Sequence, residues 1–223
     1  MSSIDLMNRE SLALMCNGDY VEAAGLLRSA LRRILNQVHE EADEDNELDV
    51  DLIEVSSYPV ASMMDTSKEY SIDHNTVSLF DRALSFDEEI SDEEIMSASV
   101  LQSQVSATLL YNMGLCYHLK GTMTAGNQES MFNKALKLYR MSTEVIKSAS
   151  VAIGTLVSLA VANNMSHLFA HSFNSPELQR CLGWIRSTLS VMECDGTLAD
   201  DYLHFRMNVL LLHGQEWKAA PAA

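Results

Sequence analysis

Apolar and polar residues alternate with the period of an α-helix over seven stretches of the chain. These stretches are residues 3–17, 20–40, 98–120, 129–149, 151–173, 176–192 and 198–213. We expect Ser2 or Ser3 to cap the first helix, Ser175 to cap the sixth, and Gly18 and Gly214 to end the first and the last. The chain has only three prolines and nine glycines, which favours long helices over a fold with many tight turns.

The most informative pattern lies between Leu110 and Gly121. Leu110, Met113 and Tyr117 fall on one side of a helix, and Gly114 is small enough to let a neighbouring helix approach closely. Gly121 is expected to close this helix. A hairpin of two such helices cannot bury its apolar face alone, so the pattern predicts that hairpins stack on one another.

The second helix of each predicted pair repeats one register of small and large residues. The register consists of Ala23, Leu27 and Ala30 in the first pair, Ala135, Tyr139 and Ser142 in the second, and Cys181, Ile185 and Thr188 in the third. Together with the Gly-x-Tyr turn at Gly18 and Tyr20, the register resembles a divergent form of the tetratricopeptide repeat. The order of elements also resembles that of a group of algal helical-repeat proteins, a group that implies no activity.

The resemblance implies an all-α fold, a TPR-like α-α superhelix of antiparallel α-hairpins with an acidic, partly extended insertion. We expect a single helical-repeat domain over residues 1–223. Its parts are hairpin 1 at 3–39, the insertion at 40–98, hairpin 2 at 99–149, hairpin 3 at 151–192 and a capping helix at 198–214.

The insertion interrupts the helical pattern with two acidic clusters, at residues 40–54 and 87–94. Two semi-apolar islands, at 52–56 and 77–86, have some strand character and form either a short hairpin or an extended segment lying on the helices. The insertion is therefore either a solvated, partly ordered linker or a loop with a role in binding or regulation.

The net charge of −16 arises in the insertion, which holds 19 acidic residues against Lys68 and Arg82 and so carries −17 by itself. The helical remainder is close to neutral. This balance argues against nucleic acid and against an anionic membrane surface as partners. Basic residues on the second helices, such as Arg28, Arg32 and Arg33, either form a solvated face or attract the acidic insertion.

In the tetratricopeptide family, the first helix of each hairpin lines a concave groove that binds a peptide or a helix. The resemblance assigns seven residues to that groove: Thr108, Tyr111, Leu115, His118, Asn163, His167 and His171. The alternative for Tyr111 and Leu115 is ordinary packing against a neighbouring hairpin. Asn112 and Asn164 match asparagines with which some family members hold a C-terminal carboxylate, but the accompanying cations are missing, so we expect no binding of acidic tails.

The sequence contains no motif for catalysis or for a cofactor: phosphate-binding glycine loops, a nucleophile elbow and a zincin motif are all absent. We therefore predict a non-enzymatic scaffold that binds a protein or peptide partner, with no cofactor and no metal. Two alternatives remain. His167 and His171 lie four residues apart and could chelate a metal in a helical metal protein or enzyme, or the chain could be a self-associating subunit.

Four widely spaced cysteines without a CxxC pair are typical of reduced thiols. The first residues lack the basic and apolar blocks of a signal peptide, and the most apolar run, at 151–162, is too short to cross a bilayer. We therefore expect an intracellular location, cytoplasmic or nuclear.

Overall fold

Eight helices and one two-stranded sheet make up the regular structure of the residues that the computed structural model describes, which are 2–38, 55–60, 77–87, 89–124, 126–149, 154–195 and 200–216. The elements are α1 (Ser3–Asn17), α2 (Tyr20–Val38), β1 (Val55–Pro59), β2 (Arg82–Phe86), α3 (Asp92–Ser97), α4 (Ser99–Met123), α5 (Gln128–Ser148), α6 (Thr155–His171), α7 (Ser175–Asp195) and α8 (Asp200–Glu216). This mostly helical content confirms the all-α prediction at the level of fold class.

The chain divides into two compact units. The first unit contains residues 1–63 and 81–158, and the second contains residues 64–80 and 159–223. Parts of the predicted segments lie outside the described residues, among them the acidic cluster at 40–54 with the start of the first apolar island, the start of hairpin 3 at 151–153, and residues 198–199 of the capping helix. None of the described helices has both the length and the apolar character needed to span a membrane.

In the first unit, α1 and α2 are joined by two residues and pack against each other. The Ser2 hydroxyl accepts a hydrogen bond from the N–H of Asp5 at 2.8 Å, which caps α1 as predicted. Gly18 ends the helix in the left-handed conformation, with φ of 85°. The predicted bounds of α1 are therefore confirmed.

The helices α4 and α5 form the second closely packed pair of this unit, and α2 packs against α4. Gly114 provides the predicted close approach, because a Cβ atom there would lie 2.6 Å from Cε1 of Tyr139. The prediction that Gly121 closes this helix was wrong, since α4 continues to Met123. Gly121 instead lies under the ring of Phe132, where a Cβ would approach Cδ1 to 2.7 Å.

The insertion contains a short antiparallel sheet, in which β1 pairs with β2 so that Ser57 lies opposite Leu84. The predicted strand character is therefore confirmed for Val55 and Ser56 of the first apolar island and for residues 82–86 of the second, although β1 continues to Pro59. The second island also lies extended against helices, so it shows features of both predicted alternatives. The N–H of Val60 continues the pairing beyond the strands by donating to the carbonyl of Asp81 at 3.3 Å.

The helix α3, which the sequence pattern did not predict, begins inside the second acidic cluster. Ser91 and Glu94 form a capping box at its N-terminus. The carboxylate of Asp92 in α3 accepts a hydrogen bond from the Ser3 hydroxyl at 2.7 Å and lies 3.2 Å from the guanidinium of Arg33 on α2. An acidic residue of the insertion thus lies within ion-pair distance of a basic residue of a second helix.

In the second unit, residues 77–80 accompany α6 from residue 159 onward, α7 and α8. Two predicted helix ends there were wrong. Asn174, not Ser175, caps α7, because its side-chain oxygen accepts from the N–H of Glu177 at 3.4 Å and the helix already includes Ser175. The helix α8 continues through Gly214, a residue that a helix interior tolerates at modest cost.

Candidate functional site

The four predicted groove residues on α4 are buried within the first unit. Thr108, Tyr111, Leu115 and His118 all have 0 % exposure. The Tyr111 hydroxyl donates to the carbonyl of Arg82 at 2.8 Å, so this face of α4 already contacts an extended segment of the chain. His118 Nδ1 lies 3.2 Å from the hydroxyl of Tyr139 on α5, which is packing within the α4–α5 pair. Their prediction as contacts to a partner stays a prediction.

Asn112, one position beyond Tyr111 on α4, binds the backbone of β2 with both ends of its amide. Its Oδ1 accepts from the N–H of Leu84 at 2.9 Å, and its Nδ2 donates to the carbonyl of Leu84 at 2.7 Å. Asn8 on α1 donates to the same carbonyl at 3.2 Å and accepts from Asn112 Nδ2 at 2.9 Å. We call an asparagine that holds both backbone groups of one residue an asparagine clamp.

The geometry of an extended chain explains how β2 satisfies two neighbours. The N–H and carbonyl of one residue project to the same side, and successive residues alternate. Leu84 and Arg82 face the helical side chains of Asn112 and Tyr111, whereas the carbonyl of Asp81 faces the β1 side and accepts from Val60. Side chains of the helices thus take the place of a further strand at this edge of β2.

The second unit repeats this chemistry with different residues. Asn164 on α6 clamps Phe80, accepting from its N–H at 2.9 Å and donating to its carbonyl at 3.0 Å. Asn208 on α8 clamps Ser78, accepting from its N–H at 3.0 Å and donating to its carbonyl at 2.9 Å. The predicted groove residue Asn163 also donates to the carbonyl of Ser78, at 3.0 Å.

An aromatic cluster adjoins these two clamps in the second unit. The ring of Phe80 lies 4.6 Å from that of Phe205 and 5.3 Å from that of His204, measured between centroids. Phe80 and Phe205 are buried. Contacts of this kind add to the free energy of burying an aromatic ring, so Phe80 is held through its side chain as well as its backbone.

The three clamp asparagines, and the two asparagines that donate to the same carbonyls, are buried and uncharged. Asn8, Asn112, Asn163 and Asn164 have 0 % exposure and Asn208 has 1 %. A buried amide without hydrogen-bonding partners is costly, so each clamp stabilises the extended segment of the chain that lies against it. Amides supply neither an acid, a base nor a nucleophile, and these side chains hydrogen-bond the chain's own extended backbone.

The two remaining predicted groove residues, His167 and His171, lie on the last two turns of α6. Burial, and secondarily the charge of His171, lower the pKa of His167 to about 4, while His171 is exposed. Within the described ranges, no group of three or more histidine, cysteine or carboxylate side chains is arranged to hold a metal ion. The described residues therefore offer no third ligand beside His167 and His171 for the metal site considered as an alternative.

The sequence singled out Asn112 and Asn164 but not what they bind, and it missed Asn208 as a site residue. A signal was present, since each of these asparagines interrupts an apolar stretch in the middle of a helix, where asparagine is intrinsically unfavourable. The clamped residues could not be predicted from the sequence near each asparagine, because Leu84 is 28 positions from Asn112 and Ser78 is 130 positions from Asn208.

Comparison of this chain with protein-family models, with curated proteins and with solved structures finds no match.

Proposed function

We propose that this protein is a non-enzymatic interaction scaffold, built as a TPR-like stack of helical hairpins, that binds an extended segment of a partner protein. The observation that carries the proposal is the clamp of Asn112 on Leu84. The same arrangement of Asn164 on Phe80 supports it, because one mode of backbone recognition serves both units.

The clamps favour an extended ligand over a helical one. Inside a helix the backbone N–H and carbonyl groups bond to each other four residues apart, and they are not offered together on one side. An extended chain offers both groups of every second residue to the same neighbour. In a scaffold of this kind, hydrogen bonds to the ligand's backbone supply most of the affinity, and contacts with the ligand's side chains add specificity.

Two features support the hairpin-stack part of the proposal. The pairs α1–α2 and α4–α5 have the short connection or the close glycine contact expected of repeat hairpins. Ala23, Leu27 and Ala30 on α2 all have 0 % exposure, as the family register implies. Interaction scaffolds of the family use such stacks to present grooves.

A selection from a phage-displayed peptide library, followed by calorimetry of the selected peptides, tests the proposal. The intact protein is compared with Asn112→Ala and Asn164→Ala, and Asn133→Ala is the control because Asn133 is an exposed asparagine of α5. We expect peptides that bind the intact protein and the control, and that bind at least about ten-fold more weakly to a folded clamp variant.

Selection is repeated on the release variant defined below, in which the chain's own residues no longer occupy the clamps of Asn164 and Asn208. Peptides that bind with the same affinity after both clamp substitutions, or no enrichment on any folded protein, would contradict the proposal. Light scattering on the same samples distinguishes peptide binding from the alternative of self-association.

A further inference from the structure

We propose that the face of α6 and α8 in the second unit is a binding site for extended peptides of the type Ser-x-Phe, and that the chain's own Ser78–Phe80 segment occupies it. A partner carrying this motif then enters by exchange with the internal segment. This inference rests on the proposed function and names its ligand class and its regulation.

The site distinguishes serine at its first position. Oδ1 of Asn208 accepts from both the N–H of Ser78 at 3.0 Å and its hydroxyl at 2.7 Å. The carbonyl of Ser78 accepts from Asn208 at 2.9 Å and from Asn163 at 3.0 Å. The hydroxyl bond is available only to serine or threonine, and it adds side-chain specificity to a backbone contact.

The site distinguishes an aromatic residue two positions later. Asn164 clamps the backbone of Phe80, and the phenyl ring packs on Phe205 and His204. Leu79, between the two clamped residues, is only partly buried. The clamps hold the first and third residues of the motif, and for this reason the middle position is written as x.

The burial of the clamp amides favours exchange over simple opening. If Ser78–Phe80 left without a replacement, water would reach the amides of Asn163, Asn164 and Asn208, which are buried while the segment is in place. The ring of Phe205 would also lose its contact with Phe80 and become exposed. Only another extended backbone offers paired N–H and carbonyl groups at the required spacing. The empty site therefore exposes apolar surface, and a second extended segment with serine and phenylalanine at these two positions would make the same contacts as the chain's own segment.

Residues 77–80 are the part of the extended segment best suited to exchange. They lie outside the two-stranded sheet, whereas β2 is paired with β1 over all five of its residues. Leaving the site of the second unit therefore does not require the β1–β2 pairing to break.

The test measures binding of a fluorescein-labelled, end-capped peptide with the sequence of residues 77–87 by fluorescence anisotropy. The release variant carries Ser78→Pro and Phe80→Ala, which remove the N–H held by Asn208 and the ring packed on Phe205. Leu79→Ala is the matched control, because it shortens the side chain between the clamped residues and keeps both of them.

We expect the release variant to bind the peptide at least about ten-fold more tightly than the intact protein or the control. The reason is that a tethered segment competes at an effective concentration on the order of a millimolar. Asn164→Leu in the release variant, or N-methylation of the phenylalanine corresponding to Phe80 in the peptide, should each weaken binding at least ten-fold. Circular dichroism and thermal melting establish that each variant is folded.

The inference is wrong if a folded release variant binds no more tightly than the intact protein, or if binding survives Asn164→Leu. Should the release variant fail to fold, hydrogen–deuterium exchange on the intact protein gives the answer. Excess unlabelled peptide should accelerate exchange in fragments containing Ser78 and Phe80, and the N-methylated peptide should not. Unchanged exchange overturns the inference.

Failure of this inference is distinguishable from failure of the proposed function. If the library yields clamp-dependent peptides while the 77–87 peptide binds neither protein, the scaffold function stands and the internal segment is a fixed part of the fold. If neither experiment yields binding, both are wrong.

Discussion

Asn112 and Leu84 are joined by two hydrogen bonds, of 2.9 Å to the N–H and 2.7 Å to the carbonyl of Leu84. One side chain of α4 thus satisfies both backbone groups of a residue in the short strand β2. An isolated two-stranded sheet is marginal in water. The helical amide stabilises this one by completing hydrogen bonds that a third strand would otherwise make.

Replacing Asn112 with leucine should lower the free energy of unfolding by about 2–4 kcal/mol, because it leaves a buried N–H of β2 without its acceptor. Denaturation in urea measures the change. Asn133→Ala, at an exposed asparagine of α5, is the control and should change stability by less than about 0.5 kcal/mol. Equal effects of the two substitutions would contradict a stabilising role for the clamp.

Replacing glycine with alanine should have opposite effects on stability at Gly114, which contacts Tyr139, and at Gly183, which has open space beside it. Gly114→Ala would place a Cβ 2.6 Å from the Tyr139 ring and should destabilise the protein by about 1–3 kcal/mol. Gly183→Ala on α7 meets nothing within 4 Å and should stabilise it by about 0.5–1 kcal/mol. Thermal melting of both variants checks the signs; stabilisation by Gly114→Ala would show that α4 and α5 are packed less closely.

The low pKa of His167 predicts how stability depends on pH. An unfolded histidine titrates near pH 6.5, whereas burial and the nearby His171 hold the pKa of folded His167 at about 4. Between these values the unfolded chain binds a proton that the folded chain does not. This contribution to stability is complete above pH 6.5 and is lost as the pH falls towards 4, by at most about 1.4 kcal/mol per pH unit.

Urea denaturation of the intact protein and of His167→Gln at several pH values checks this dependence. The stability of the variant should fall less steeply below pH 6.5. His171→Gln is the comparison, since it removes only the smaller cause of the pKa shift and should leave most of the dependence in place. A parallel decline in all three proteins would show that other groups govern the acid sensitivity.

Asp92 should contribute to stability mainly above its lowered pKa. Burial alone would raise the pKa of Asp92, but hydrogen bonds from Ser3 and Ile4 and the charge of Arg33 outweigh it and hold the pKa below its usual range. The contribution is therefore present at neutral pH and is lost as the pH falls through the acid range in which this carboxylate becomes protonated.

Asp92→Asn should lower the free energy of unfolding at neutral pH by about 1 kcal/mol, while Arg33→Gln should cost less, because half of the arginine side chain is exposed. Urea denaturation at low and high salt measures both. Added salt should reduce the effect of Arg33→Gln, because it screens the charge. Most of the effect of Asp92→Asn should remain, because the hydrogen bonds from Ser3 and Ile4 act at short range. No effect of either substitution would show that α3 is held by its apolar residues.

The sequence predicted features that depend on near neighbours. The bounds of α1 followed from Ser2 and Gly18, since caps act within one turn. The small residue at Gly114 correctly indicated a close helix contact, although not that the contact is Tyr139. The helix α3 was missed because a six-residue element in an acidic stretch has almost no apolar periodicity to detect.

The order of helices, their amphipathic faces and the concentration of acidic residues in one insertion were determined by the sequence itself, because periodicity and capping are local properties. Only the tertiary structure decided what Asn112, Asn164 and Asn208 hold. Each binds an extended residue far away in the chain, and a hydrogen bond between a side chain and a distant backbone leaves no periodic trace. A buried asparagine signals the need for a partner, and the fold alone supplies it.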